Sequence, residues 1–278
     1  MNHSPLQRGF TLVELAIVMV IIGLLVGGIL AGRSLIRAGE LRSVTADRAQ
    51  YLTAVTAFRD QFMALPGDMA TAVNFWGAQA GGTAEGWDGT CRTLDHTSPA
   101  TGQATCNGNG NGQIGLWQAT TGNARFESLR AWQHMANAGL VSGQFSGVMD
   151  SATNMLPGWN IPASKVQGAG FNLIYIGSDP NSTFLYSRDY NHVLFFGKPG
   201  SQHGMGFYAA IRPEDAWNID TKLDDGRPAY GRVMTAKYGN PHGDGSSANC
   251  ATSATASSAE YALSDTEIRC GLIFLLGF

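Results

Sequence analysis

RGFTLVELAIVMVIIGLLVGG, residues 8–28, places a single carboxylate, Glu14, near the start of an otherwise apolar run. The run extends from Phe10 to Ala31, about 22 residues, and Glu14 is its only charge. At about 1.5 Å per residue, a helix of that length reaches roughly 33 Å, enough to span a bilayer. A carboxylate in lipid is costly and is retained where it finds a partner. A secretory signal has a short apolar core followed by a small-residue cleavage site. Here the order is reversed: the polar leader MNHSPLQRG comes first, and the apolar run begins directly after Gly9. A cut between Gly9 and Phe10 removes only the leader and leaves the membrane helix on the mature chain.

The helical pattern continues past the apolar run. Leu41, Val44, Leu52, Val55, Phe58, Phe62 and Leu65 recur at three- and four-residue steps or their sums, with Ala49 filling the gap. Arg42, Arg48, Gln50, Arg59 and Asp60 fall between them, and Pro66-Gly67 ends the pattern. This spacing predicts one apolar stripe on a helix. Joined to the membrane run, it predicts a single helix over residues 10–65, roughly 80 Å long. No strict heptad is kept, which argues against a coiled-coil stalk.

The chain has 278 residues, a net charge of -3 and only 14% charged residues. It carries no basic stripe, so no nucleic-acid partner is expected. Four cysteines fall in two local pairs, Cys91 with Cys106 and Cys250 with Cys270. No CxxC or Cys/His zinc spacing is present, so two disulfides in an oxidising compartment are expected. A count of basic residues alone (Arg8 before the span; Arg33, Arg37, Arg42 and Arg48 after it) assigns the C-terminal side to the cytoplasm. The cysteine pairs assign it to the periplasm or the exterior.

GFTLVE, residues 9–14, resembles the processing site of type IV pilins and of the pseudopilins of type II secretion: a glycine, an aromatic residue, the apolar run, and a glutamate fifth in the mature chain. The resemblance implies that a prepilin peptidase cuts after Gly9 and methylates the new N-terminus at Phe10. It implies that Glu14 neutralises the Phe10 amine of a neighbouring subunit and sets the axial register. The partners implied are other pilin subunits, the peptidase, an inner-membrane assembly platform, and the membrane before assembly. The implied location is a single-pass inner-membrane protein with a periplasmic head, passing later into a surface pilus or a periplasmic pseudopilus. Gly23 with Gly27, and Gly28 with Gly32, give small-xxx-small spacing for close helix approach. The mid-helix proline frequent in the family is absent in the region of Ala31, so a strong kink there is not expected.

The organisation expected is α+β: a leader over residues 1–9, a spine helix over 10–65 with 10–31 as membrane span and filament core, and a head over 66–278. The head should hold a small antiparallel sheet, short helices and long disulfide-tied loops. GDMATAVNFWG (67–77) reads as a turn and short helix with Asp68 as N-cap. Residues 77–124 are rich in glycine and small polar residues, and the Cys91–Cys106 pair would staple them.

NGNGNGQI (107–114) reproduces the first half of a calcium loop, with Asn107, Asn109, Asn111 and Gln113 as ligands. Its side-chain ligands are neutral and position twelve is Gln118, so Glu127 or Asp88 would have to fold in. An Asn-Gly turn cluster is the favoured reading of the same residues. ESLRAWQHMANA (127–138) reads as a helix with Leu129, Trp132, Met135 and Ala136 inward and His134 exposed or capping. FNLIYIGS (171–178) and HVLFFGK (192–198) are expected antiparallel strands, with GFYAAI (206–211) as a third.

RPEDAWNIDTKLDDG (212–226) reads as a helix with Ala216, Ile219 and Leu223 inward. Asp220 and Asp224 share a face, and Asp224 and Asp225 stand where the helix dipole disfavours anions. Arg227, Arg232 or a metal ion should compensate, and the adjacent arginines favour pairing over calcium. Secretion pseudopilins often hold calcium near the C-terminal part of the head, which the resemblance carries to these aspartates. GRVMTAKYG (231–239) reads as a strand, SSANCATSATASSAE (246–260) as a solvated loop with sites for O-glycans, and GLIFLLGF (271–278) as a buried final strand.

No HExxH, Walker A, GxGxxG in a βαβ setting or GxSxG elbow occurs, and GSQHGMG around Ser201 and His203 reads as a turn. The sequence therefore points to a non-enzymatic filament subunit, and the large head favours a minor or specialised pilin. A secretion pseudopilin, a tip adhesin using residues 77–124 and a membrane-anchored periplasmic enzyme are the alternatives.

Overall fold

The computed structural model describes residues 11–79, 102–115, 127–148, 155–179, 185–199, 208–237 and 249–278. Gly9, Phe10, Asp88, Cys91, Gln118, Ser201 and His203 lie outside them, as do the leader and most of the glycine-rich stretch. The chain falls into two units, one ending at Arg42 and the other beginning at Ser43.

Helix α1 runs from Leu12 to Phe62. In the first unit its apolar side chains, from Leu12 to Ile36, are exposed. In the second unit one face is buried by Val44, Tyr51, Ala54, Val55 and Phe58. The steps between Val44, Tyr51, Val55 and Phe58 return to the same side of a helix. Leu41, Leu52 and Phe62 are half-buried, and Ala49, expected to fill the stripe, is exposed. Tyr51 and Ala54 take the inward places expected of Ala49 and Leu52. Met63, at a φ of 53°, takes the chain out of the helix.

The sheet has four strands in the order β1-β2-β4-β3, with every pairing antiparallel. They are β1 (Gly170–Asp179), β2 (Arg188–Gly197), β3 (Val233–Met234) and β4 (Leu272–Leu275). Leu194 sits between Leu173 and Phe274, and Phe196 between Phe171 and Leu272. That face meets Tyr51 of α1, whose ring lies 5.1 Å from Phe171 and 4.9 Å from Trp132. The other face carries Ile174, Val193, Phe195, Met234 and Ile273, packed with Leu185, Tyr186, Tyr190, Ala251 and Ala259. With both faces covered, β4 reads as a continuous apolar run rather than an alternating one.

Residues 208–211 do not form the expected third strand; Tyr208 and Ile211 make isolated bridges to Lys198 and Cys270. The strand expected over residues 231–239 is only Val233–Met234. Helix α2 covers Val73–Trp76, α3 covers Glu127–Asn137 and α4 covers Pro213–Leu223. Leu223, expected inward, is exposed at the end of α4. The Cys250–Cys270 disulfide is formed and ties the loop under the sheet to the start of β4. Cys106 is also disulfide-bonded.

Candidate functional site

The first candidate site is the start of α1. Thr11 precedes the helix, and its backbone N–H and hydroxyl both donate to Glu14 Oε2 at 2.8 Å. The Glu14 N–H donates back to Thr11 Oγ1 at 3.2 Å. This is a capping box: a threonine cap and a glutamate three residues on satisfy each other's orphan donors. Sequence reading missed it, although Thr-x-x-Glu before an apolar run is its signature. Glu14 therefore has an intramolecular partner besides any neighbour it meets. Further along, a Cβ built on Gly23, Gly27, Gly28 or Gly32 meets nothing within 4 Å, so no contact among the described residues requires glycine there.

The second candidate is the segment 107–115. Glu127 does fold onto it: Oε1 accepts the Asn109 N–H at 3.1 Å and Oε2 the Gly115 N–H at 2.8 Å. Asp68 closes the other side, accepting the N–H groups of Asn111 at 3.0 Å and Gly112 at 2.8 Å. The amide oxygens act alike. Asn107 Oδ1 accepts from Val73, Asn109 Oδ1 from Asn111, and Asn111 Oδ1 from Gln113. Asn109 and Asn111 thus close Asx turns, and Gly110 and Gly112 take positive φ, in the expected Asn-Gly turn cluster. Gln113 is exposed. The segment is clasped by two carboxylates through its own backbone.

Asp68 is not the N-cap of α2; that position is Ala72, without a side-chain cap. Burial raises the Asp68 pKa, against the pull of the Gly112, Asn111 and Gly110 amides. Gly108 is required, because a Cβ there would stand 2.3 Å from the Asp68 carbonyl carbon.

His134 is neither exposed nor a helix cap; it is fully buried. Its Nδ1 accepts the Gly67 N–H at 3.0 Å. A backbone amide can only donate, so the proton sits on Nε2, which faces Thr105 Oγ1 at 3.0 Å and the Cys106 carbonyl at 3.2 Å. Burial, then the Arg130 charge, push its pKa down to about 3, against the Cys106 carbonyl. Arg130 is itself buried, with Nη1 donating to Gln79 Oε1 at 2.8 Å and Gln133 Oε1 at 2.7 Å. Burial lowers its pKa to about 10. The polar face of α3 therefore faces inward, where a helical wheel places it in solvent.

The third candidate follows α4. One oxygen from each of Asp220, Asp224 and Asp225 lies within 4.8 Å of the others. The expected arginine pairing is absent: neither Arg227 nor Arg232 makes an ion pair with them. Arg227 instead lies over the Tyr230 ring at 4.6 Å. Asp225 Oδ1 accepts the Arg227 N–H at 2.9 Å, and Asp224 Oδ2 accepts the N–H groups of Arg232 and Val233. Short loops favour such backbone contacts over folding a long guanidinium back on itself. Asp220 is fully buried. Burial raises its pKa to about 7, opposed by the Tyr261 hydroxyl and Gly226 amide and reinforced by Asp225 and Asp224.

Residues 5–30 match the prokaryotic N-terminal methylation motif, the signature of type IV pilins and pseudopilins. No curated protein and no solved structure matches the chain.

Proposed function

We propose that this chain is a minor or specialised structural subunit of a type IV pilus-like filament, cleaved after Gly9, methylated at Phe10 and assembled through α1. The methylation motif at residues 5–30 carries the reading. Such a motif points to a pilin-like protein, processing by a prepilin peptidase and assembly with pilin subunits. The bare apolar half of α1, the one helix among the described residues long and apolar enough to cross a membrane, supports it as single-pass anchor and later packing surface. In the filament, the Glu14 carboxylate meets the Phe10 amine of the next subunit.

Two variants test the reading. Gly9→Ala should leave an unprocessed precursor. Glu14→Gln keeps the hydrogen bonds of the capping box, since glutamine serves at that position, and removes only the charge. Normal cleavage with loss of filaments is the expected outcome; wild-type filament levels in Glu14→Gln would reduce Glu14 to a helix cap. Intact mass of the processed, methylated chain in sheared surface material supports a pilus. The same species confined to the membrane fraction would replace the pilus with a periplasmic pseudopilus.

A further inference from the structure

We propose that the cleft beside the last turn of α1 binds a short apolar peptide with both ends free, its amine at Asp60 and its carboxylate at Arg59. The cleft has a volume of about 780 Å³, within the range of small-molecule sites. It lies wholly in the second unit. Phe62, Met63, Leu65, Met69 and Phe278 supply its apolar wall. Met63 is 89% exposed, and a flexible thioether adapts to irregular apolar shapes.

The polar groups of the cleft divide into committed and uncommitted. Asp68 is committed, since its two oxygens accept the N–H groups of Asn111 and Gly112. His192 is committed as well. Its Nε2 accepts the Ile114 N–H at 3.2 Å, which leaves the proton on Nδ1, 3.0 Å from the Phe278 backbone oxygen. Burial, then the Arg59 charge, lower its pKa against the pull of that oxygen, so the ring is neutral. Arg59 and Asp60 differ: both are exposed, and among the described residues neither side chain makes a hydrogen bond or an ion pair. The Arg59 guanidinium lies over the Phe278 ring at 5.1 Å. Stacking uses its face and leaves the in-plane N–H fork for a carboxylate.

Adjacent residues on a helix do not face each other, so Arg59 and Asp60 cannot neutralise one another. A step of about 100° on a rim of about 5–6 Å radius sets their charges roughly 8–9 Å apart. The cleft thus offers one positive and one negative group, separated, with an apolar wall. A single amino acid carries amine and carboxylate on one carbon and cannot reach both. Two to three extended residues, at about 3.4 Å each, can. The polarity fits too. Among the described residues the carbonyls of Asp60, Gln61 and Phe62 accept no hydrogen bond, and the negative end of a helix favours an amine. None of this depends on the filament reading.

The test is isothermal titration of the purified full-length protein in detergent with the tripeptide leucyl-alanyl-leucine, using detergent alone as the blank. The free peptide should bind with a Kd of about 1 mM or tighter. Its N-acetyl form and its C-terminal amide should each bind about tenfold more weakly, because each loses one charge-assisted contact. Free leucine should bind more weakly still. Arg59→Gln should bind the peptide and its amide alike, and Asp60→Asn the peptide and its acetyl form alike. Both positions are exposed, and the capped series in the wild type stands without the variants. No binding up to about 10 mM would overturn the proposal. So would capped forms that bind as tightly as the free peptide, or variants that keep the wild-type discrimination.

Discussion

The protonation state of His134 can be read as a stability difference. In the folded protein Nδ1 is committed to the Gly67 N–H and the ring is buried beside Arg130. A second proton would face a fixed donor and a neighbouring charge, and the pKa falls to about 3. In the unfolded chain it returns to about 6.5. Between those values the unfolded state binds more protons, so stability falls as pH falls. At pH 5 the linkage amounts to about 2 kcal/mol relative to pH 7. The wild-type pH curve alone hides this, because the raised pKa values of Asp68 and Asp220 act with the opposite sign. A difference against His134→Gln cancels those groups. The assay is urea unfolding of the full-length protein in detergent, followed by tryptophan fluorescence, with Trp132 buried in the core. The wild type's advantage over the variant should shrink by about 2 kcal/mol from pH 7 to pH 5. An advantage equal at both pH values would refute the neutral, buried histidine.

Gly67→Ala should lose about 3 kcal/mol or more, because φ is +83° and a Cβ would stand 2.1 Å from the Glu127 carbonyl oxygen; a urea midpoint near wild type would contradict the close approach of this turn to α3. Replacing Cys250 and Cys270 by serine should cost about 3 kcal/mol, from a sequence separation of 20, and urea unfolding of variant and wild type, both without reductant so that the bridge at Cys106 is kept, should show that loss. Thr11→Val should leave processing intact while weakening the helix start by about 1 kcal/mol. Faster exchange of the first-turn amides would show it, and unchanged exchange would argue against the capping box.

Residues whose burial follows from periodicity were legible. Val44, Val55 and Phe58, the two long strands and the apolar final strand are all where their spacing puts them. Chemistry local in sequence was legible too, as with the Cys250–Cys270 bridge and the Asn-Gly turn cluster around Gly110 and Gly112. What escaped was pairing across distance. His134, Arg130 and Gln133 look like a solvated helix face, and their burial depends on Gly67, Gln79 and Thr105, dozens of residues away. Asp68 looks like a helix cap, yet its amide partners lie more than forty residues on. The arginines beside Asp224 and Asp225 were a near-sequence guess that failed because the loop turns their backbone amides, not their side chains, toward the carboxylates.

The first unit presents the reverse case, since nothing among the described residues accounts for its glycines. Lipid explains the apolar run that ends at Ala31, but lipid makes no demand for glycine. Each one weakens a helix interior by roughly 0.5–1 kcal/mol relative to alanine. At Gly23, Gly27, Gly28 and Gly32 a Cβ would find open space, so alanine would stabilise the isolated helix at no steric cost. In the proposed filament another backbone approaches there, as small residues permit between membrane helices. Glu14 points the same way. The capping box uses its hydrogen bonds, and glutamine would serve that purpose without bringing a charge to the membrane. The charge and the glycines are both costs to the lone chain, and the packed array of helices proposed above would remove both.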